Sequence, residues 1–184
     1  MRIIAFFLLF LGLVLPVSAV AQERPDLTRF KAFADPLVGT WTVTIKDWQA
    51  DGKIAWEGTQ KRAFAYMLAD EFLEERALVK SGQRPQDIVT GLHLMSYDPK
   101  RNLLFQQGFW PGHAGVLFTV EAALAADNHS ASGHIAMPGE QGARKRRRIE
   151  LRWQNPNELS YRAFAQDNSG KEYLNEELIY RRVQ

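Results

Sequence analysis

The 184-residue chain contains no cysteine. Disulfides, thiol catalysis and cysteine-ligated zinc or haem are therefore excluded, and stability must come from a hydrophobic core and hydrogen-bonded secondary structure. The sequence also lacks the motifs of zinc proteases, serine hydrolases, phosphate-binding loops and calcium loops. It therefore predicts no catalytic residue and no metal site of a standard type.

An excess of one charge is also missing, because 23 Lys and Arg residues face 21 Asp and Glu residues, for a net charge of +2. This balance argues against a dedicated nucleic-acid-binding protein. One basic run comprises Arg144, Lys145, Arg146, Arg147 and Arg148. We interpret it as a hairpin tip and the start of a strand with a basic outer face, since Ile149, Leu151 and Trp153 share the opposite face. Aromatic residues do not alternate with these basic ones, so we expect a weak contact with anionic envelope lipid and no nucleic-acid binding.

Residues 1–21 predict a signal peptide. Arg2 precedes an apolar run over 3–17, and Ser18-Ala19-Val20-Ala21 has the small-x-small pattern of a cleavage site. Cleavage after Ala21 would give a periplasmic or secreted protein. An uncleaved membrane anchor is the alternative, because residues 3–20 are nearly long enough to span a bilayer. The remaining residues 22–184 (184 − 21 = 163 residues) suit a single domain.

The mature part predicts one short helix followed by about ten strands. Leu27, Phe30 and Phe33 recur every three residues and indicate a helix that ends before Asp35-Pro36. The predicted strands are 37–48, 54–66, 68–79, 88–97, 103–110, 116–124, 130–137, 146–154, 159–165 and 171–182. Segment 68–79 is ambiguous, and we favour a strand over a helix there. Because no helical crossover interrupts the strands, we expect an all-β fold, an antiparallel up-and-down β-barrel.

The first strand carries a family resemblance. Gly39-x-Trp41 after a short helix resembles the N-terminal signature of the calycin superfamily, which includes lipocalins and fatty-acid-binding proteins. The resemblance implies that Trp41 lies at the closed end of the barrel with a basic residue from the last strand across its ring. The alternation of that strand favours Arg182 for this role, with Arg181 as the alternative.

Two further motifs are similar to those of bacterial lipocalin-like domains of unassigned function. They are the mid-chain segment from Gly91 to Tyr97-Asp98 and the terminal Tyr180-Arg181-Arg182. The resemblance covers about residues 30–182 and implies a fold rather than an activity.

Polar residues at expected inward positions favour a partly wet interior. We therefore expect an exported, non-catalytic barrel that binds a small apolar or amphipathic ligand inside. The candidate ligand-binding residues are Arg62, His93, Tyr97, Gln107, His113, Arg162 and Glu176. An inward Glu176 would need Arg62 or Arg162 as a partner, because a lone buried carboxylate is costly. Such a pair could anchor a polar head group, as internal arginines do in fatty-acid-binding proteins.

Two alternatives remain open. The first is an enzyme of isomerase or hydratase type, which would need His93 paired with Tyr97 or Glu176 as acid and base. The second is haem binding through His93 or His113, as in the nitrobindin-type relatives of calycins. The acidic cluster Asp70, Glu71, Glu74 and Glu75 is interpreted as a solvated outer face.

Overall fold

The computed structural model describes residues 26–80, 87–109, 117–138 and 144–184. The predicted signal peptide lies outside the described residues. The described elements are α1 (Thr28–Ala34), a 3-10 turn (Asp35–Leu37), β1 (Gly39–Trp48), β2 (Ile54–Met67), β3 (Phe72–Lys80), β4 (Asp87–Asp98), β5 (Leu103–Phe109), β6 (Leu117–Leu124), β7 (Ser130–Pro138), β8 (Arg144–Asn155), β9 (Glu158–Gln166) and β10 (Glu172–Arg182). Within these ranges, no helix has the length and apolar character needed to cross a membrane.

The ten strands form one closed antiparallel barrel. Each strand pairs with its neighbours in sequence, and β1 closes the barrel by pairing with β10. The predicted all-β up-and-down barrel with a preceding helix is therefore confirmed. In the described strands, closure pairs β1 with β10, the two strands that would be exposed edges in an open sheet.

The ambiguous segment divides into a turn and a strand. β3 begins at Phe72, so most of the segment is a strand, as favoured. Leu68, Ala69 and Asp70 precede it with φ angles of 50°, 56° and 66°. The left-handed region is unfavourable for residues with a Cβ; of the three, Asp70 is of a type that tolerates it, whereas Leu68 and Ala69 are not. The sequence therefore gives little indication of this turn.

Helix α1 covers one end of the barrel. Phe30 and Phe33 are completely buried beneath it, and Phe30 stacks on Tyr97 with 6.2 Å between ring centroids. The Trp153 indole Nε1 donates a hydrogen bond to the Phe33 carbonyl at 3.0 Å, which ties the helix to β8. We call this the helix end, and the opposite end, where β1 ends at Trp48, the far end.

Trp41 and Arg182 lie at the helix end. They are register partners on β1 and β10, and the Arg182 guanidinium carbon lies 4.5 Å from the Trp41 ring centroid. Arg182 also donates hydrogen bonds to the carbonyls of Val38, at 3.0 Å, and Pro36. A Cβ at Gly39, where φ is +122°, would lie 3.1 Å from Arg182 Nη1, so a glycine suits this position. Arg182, rather than Arg181, thus lies across the indole.

Candidate functional site

A cavity of about 110 Å³ lies inside the barrel. Part of its wall is apolar and includes Phe118, Val120 and Ile135. The rest carries ionisable side chains, which fall into two groups. The central network consists of Arg62, Glu75, His93 and Tyr180 together with the amide of Gln106. The far-end group consists of Arg147 and Glu176, which line the cavity, and Asp47, which does not line it but is the register partner of Glu176.

The central network is built around Glu75 on β3. Glu75 is 3% exposed, and Arg62 on β2 and His93 on β4 are each 2% exposed. Arg62 Nη1 donates to Glu75 Oε1, and His93 Nδ1 lies 2.8 Å from Glu75 Oε2. A carboxylate only accepts hydrogen bonds, so Nδ1 carries the proton in this contact. The three charged or titratable groups therefore form one buried cluster across three adjacent strands.

Two further side chains complete the shell of the Glu75 carboxylate. Gln106 Nε2 donates to Oε2 at 3.0 Å, and the Tyr180 hydroxyl donates to Oε1 at 3.4 Å while it accepts from Arg62 Nη1 at 2.7 Å. Burial alone would raise the pKa of Glu75, but Arg62 and His93 outweigh it and lower the pKa to about 2. Glu75 is thus an ionised carboxylate with donors at both oxygens.

The His93 imidazole is tightly enclosed. Its ring meets Phe118 edge-on with centroids 4.9 Å apart, and a Cβ at Gly108 would lie only 2.2 Å from His93 Cδ2. This enclosure does not fit an axial haem ligand. Pockets for drug-sized ligands measure about 300–1,000 Å³, whereas this cavity measures about 110 Å³. His113, the other haem candidate, lies outside the described residues.

The far-end group has a different character. Asp47 on β1 and Glu176 on β10 are register partners, and Arg147 on β8 borders the same cavity as Glu176. Strand register shifts at both carboxylates, between Asp47 and Trp48 and between Leu174 and Glu176. Such bulges redirect side chains. In the described part of the chain, no hydrogen bond or ion pair joins Arg147 to either carboxylate.

Electrostatics at the far end oppose ionisation of the carboxyls. Burial raises the pKa of Glu176, the Asp47 carboxylate raises it further, and Arg62 and Arg147 lower it only in part. Burial likewise raises the pKa of Asp47 against the effect of Arg147. Burial and Glu176 also raise the pKa of the nearby Tyr161, so this phenol stays neutral. The far-end group is therefore short of positive charge.

The structure brings Arg62, His93 and Glu176 to the cavity wall. Tyr97 lies instead at the helix end, where its hydroxyl donates to Asn102 Oδ1 at 2.8 Å. The enzyme hypothesis requires His93 to pair with Tyr97 or Glu176, but the hydrogen-bond partner of His93 Nδ1 is Glu75.

Two expected inward positions need correction. Gln107 is exposed, and its neighbour Gln106 points into the barrel, because Leu104 and Gly108 set the inward face of β5. Arg162 is also outside, where its Nε donates to Glu177 Oε1 at 2.9 Å. Arg162 therefore cannot be the partner of Glu176.

Sequence reasoning missed five residues of the site, namely Asp47, Glu75, Gln106, Arg147 and Tyr180. The acidic run predicts a solvated face for Glu75, yet Glu75 shares the inward face of β3 with Leu73 and Ala77. This alternation was the available signal.

The basic run predicts that Arg147 belongs to the outer tip, whereas Arg147 shares the inward face of β8 with the buried Ile149 and Leu151. Arg146 is exposed, and Arg148 is held by Glu172 at 2.7 Å and by Glu150. The side chains of Arg144 and Lys145 lie outside the described residues. The basic outer face is therefore smaller than expected. In the described ranges, no group of three or more His, Asp or Glu residues could hold a metal ion.

Comparisons with known proteins support the fold. No protein-family model and no curated protein matches the chain. Rv2717c from M. tuberculosis is similar in structure, with a TM-score of 0.58 and 12% identity over 88% of this chain and 99% of that one. The fold is calycin-like. The S-type phycobiliprotein lyase CPES from Guillardia theta also matches this calycin-like barrel, with a TM-score of 0.54 and 11% identity over 87% of this chain and 99% of that one.

Proposed function

We propose that this protein is an exported, non-catalytic binding protein that holds a small amphipathic molecule inside its barrel. The observation that carries the proposal is the interior cavity with an apolar wall and charged groups beside it. Concave sites of this composition, apolar with a few placed polar groups, are the usual form of small-molecule sites.

The polar lining supports a binding role over a purely structural one. Burying a charged group is costly unless hydrogen bonds or an opposite charge compensate it. The central network meets this condition through direct contacts, whereas the described residues offer Glu176 and Arg147 no direct hydrogen bond. A polar group on a ligand would supply those contacts.

The cavity volume limits the enclosed part of the ligand. An engineered apolar cavity of about 150 Å³ binds benzene. A cavity of about 110 Å³ would therefore enclose roughly six non-hydrogen atoms or fewer. A longer amphipathic molecule would have to extend beyond the cavity.

Native mass spectrometry tests the proposal. Protein purified gently from its own envelope should carry a bound small molecule that is lost on denaturation. The variant Ile135→Trp, which fills the apolar wall, should carry less of it, while the exposed variant Ile54→Trp serves as a control. Wild-type protein without any adduct, and without affinity for added amphiphiles, would contradict the function.

Export is tested separately by cell fractionation and N-terminal sequencing. We expect mature protein that begins at Gln22 in the periplasmic or secreted fraction. A membrane-bound protein that retains residues 1–21 would support the anchor instead.

The contact with anionic envelope lipid remains a prediction. Arg146 is exposed on β8 and lies 3.2 Å through Nη2 from His134 Nδ1. Vesicles rich in anionic phospholipid should retain the wild-type protein weakly at low salt and the Arg146→Gln variant less. Equal retention on neutral vesicles would contradict an electrostatic contact.

A further inference from the structure

The charges inside the barrel do not balance evenly between the two groups. In the central network, Arg62 and Glu75 neutralise each other through direct contact. Within the described residues of the far-end group, one cation, Arg147, accompanies two carboxylates, Asp47 and Glu176. Arg62 also acts on Glu176, but it is paired with Glu75. When both are ionised, one positive charge faces two negative charges.

The excess of negative charge is concentrated at one place, where Asp47 and Glu176 lie side by side. Asp47 and Glu176 are direct cross-strand neighbours, and directly opposed side chains lie about 4.5–5.5 Å apart at Cβ. Like charges at such positions are destabilising. Arg147 is two strands away from Glu176 around the barrel and makes no ion pair with it in the described residues. An external cation could therefore approach the carboxylate pair.

We propose that the far-end group selects a compact organic cation, such as a primary ammonium on a short apolar body. This inference rests on the proposed function and names its ligand class. The ammonium would donate hydrogen bonds to Glu176 and Asp47, and the apolar body would pack against Phe118 and Ile135. An anion would instead meet two carboxylates for one guanidinium.

The surroundings of Glu176 agree with this preference. The charged and titratable groups that act on it are Asp47 from β1, Arg62 from β2, Arg147 from β8, Tyr161 from β9 and, on its own strand, Tyr180. The positive charge of Arg62 is already engaged by Glu75. A bound ammonium would lower the raised pKa of Glu176, so binding near that pKa should release a proton.

Three probes of nearly equal size test the charge preference. Butylammonium, butanoate and butanol are titrated at pH 8 into isotopically labelled full-length mature protein and followed by NMR. Butylammonium should bind at least about tenfold more tightly than butanoate, with the neutral alcohol between them. Its shifts should centre on Asp47 and Glu176.

Matched variants of β10 separate this site from a surface effect. Glu176→Gln should remove most of the preference for butylammonium, whereas Glu177→Gln, on the outer face, should retain it. Asp47→Asn provides a second test of the carboxylate pair.

Stronger binding of butanoate, or an unchanged preference in both Glu176→Gln and Asp47→Asn, would overturn the inference but leave the proposed function standing. Binding of none of the probes would also overturn it. The proposed function itself would fall only if the native protein also carried no small molecule.

Discussion

Glu75 and Glu176 are two interior glutamates of one barrel with opposite properties. Four side chains contact the Glu75 carboxylate, and its pKa falls to about 2. Glu176 receives no hydrogen bond from a described residue, and its pKa is raised. Burial acts against ionisation at both sites. Donors and opposite charge therefore decide which glutamate stays ionised.

The contrast between the two glutamates suggests a structural role for the central network and a binding role for the far-end group. The Glu75 carboxylate accepts hydrogen bonds from four side chains of the protein, and its contacts with Arg62 and His93 link β2, β3 and β4. The far-end group has capacity left for a ligand. Removing a charge should therefore have opposite effects on stability in the two regions.

The largest expected effect follows from Glu75→Gln. Loss of the carboxylate leaves Arg62 buried without its counter-ion, and breaking a buried pair costs about 3–5 kcal/mol. Urea denaturation should show this loss at pH 7. Glu74→Gln is the matched control, because Glu74 pairs with Arg76 on the outside and such pairs contribute about 0–1 kcal/mol. Equal stability of the two variants would show that Glu75 contributes no more to stability than Glu74 on the outer face.

The loss of stability caused by Glu75→Gln should depend on pH. The pKa of Glu75 is lowered from 4.5 to about 2, so its contribution is fully present above pH 4.5 and is lost as pH falls toward 2. The difference in unfolding free energy between wild type and Glu75→Gln should shrink over that window. A difference that stays constant to pH 2 would contradict the ionised assignment.

Gly108→Ala should have the next largest effect. Its new Cβ would lie 2.2 Å from His93 Cδ2 and 2.8 Å from Phe118 Cζ, in a packed region where overpacking costs about 1–3 kcal/mol. Gly58→Ala is the control, since its Cβ meets only the outer atoms of Trp56, which is 52% exposed and can move. Thermal unfolding of the two variants measures the contrast. A larger loss at Gly58 would show that the His93 region is the more adaptable one.

The smallest effect, and the one of opposite sign, is expected for Glu176→Gln. An ionised Glu176 faces the Asp47 carboxylate directly across the strands, and cross-strand charge pairs are worth about 0.2–1 kcal/mol, so the neutral amide should raise the unfolding free energy at pH 7 by a similar amount. Because the pKa of Glu176 is raised in the folded state, this gain should be greatest above that pKa and vanish below pH 4.5. Denaturation of Glu177→Gln in parallel gives the baseline. A destabilised Glu176→Gln would place Glu176 with Glu75 as a structural group.

The sequence was informative wherever alternation was unbroken. Trp41 and Val43 on β1 alternate with threonines, Leu178 and Tyr180 on β10 share the same two-residue spacing, and all four are buried. The barrel, its helix and the position of Arg182 could be predicted from such patterns.

The residues of the site were harder to predict, because a charged side chain is expected to be exposed unless its buried partners are known. Glu75 lies in an acidic run, and only its partners Arg62 and His93, distant in sequence, make burial tolerable. Because the turn at 68–70 contains no glycine, the sequence did not show where β3 begins, and the inward face of the strand could not be assigned. Gln106 and Gln107 have identical side chains, so only the neighbouring residues of β5 indicate which of the two points into the barrel.

The pairing of β1 with β10 has a consequence for folding kinetics. The contact between Trp41 and Arg182 joins positions 141 residues apart (182 − 41). Closing so long a loop costs entropy that local contacts do not repay, and such topologies fold slowly. The seam should therefore form late, after the hairpins between successive strands. Until then, β1 and β10 are unpaired edges that can join strands of another chain, which makes the last strand the segment whose truncation would most promote aggregation.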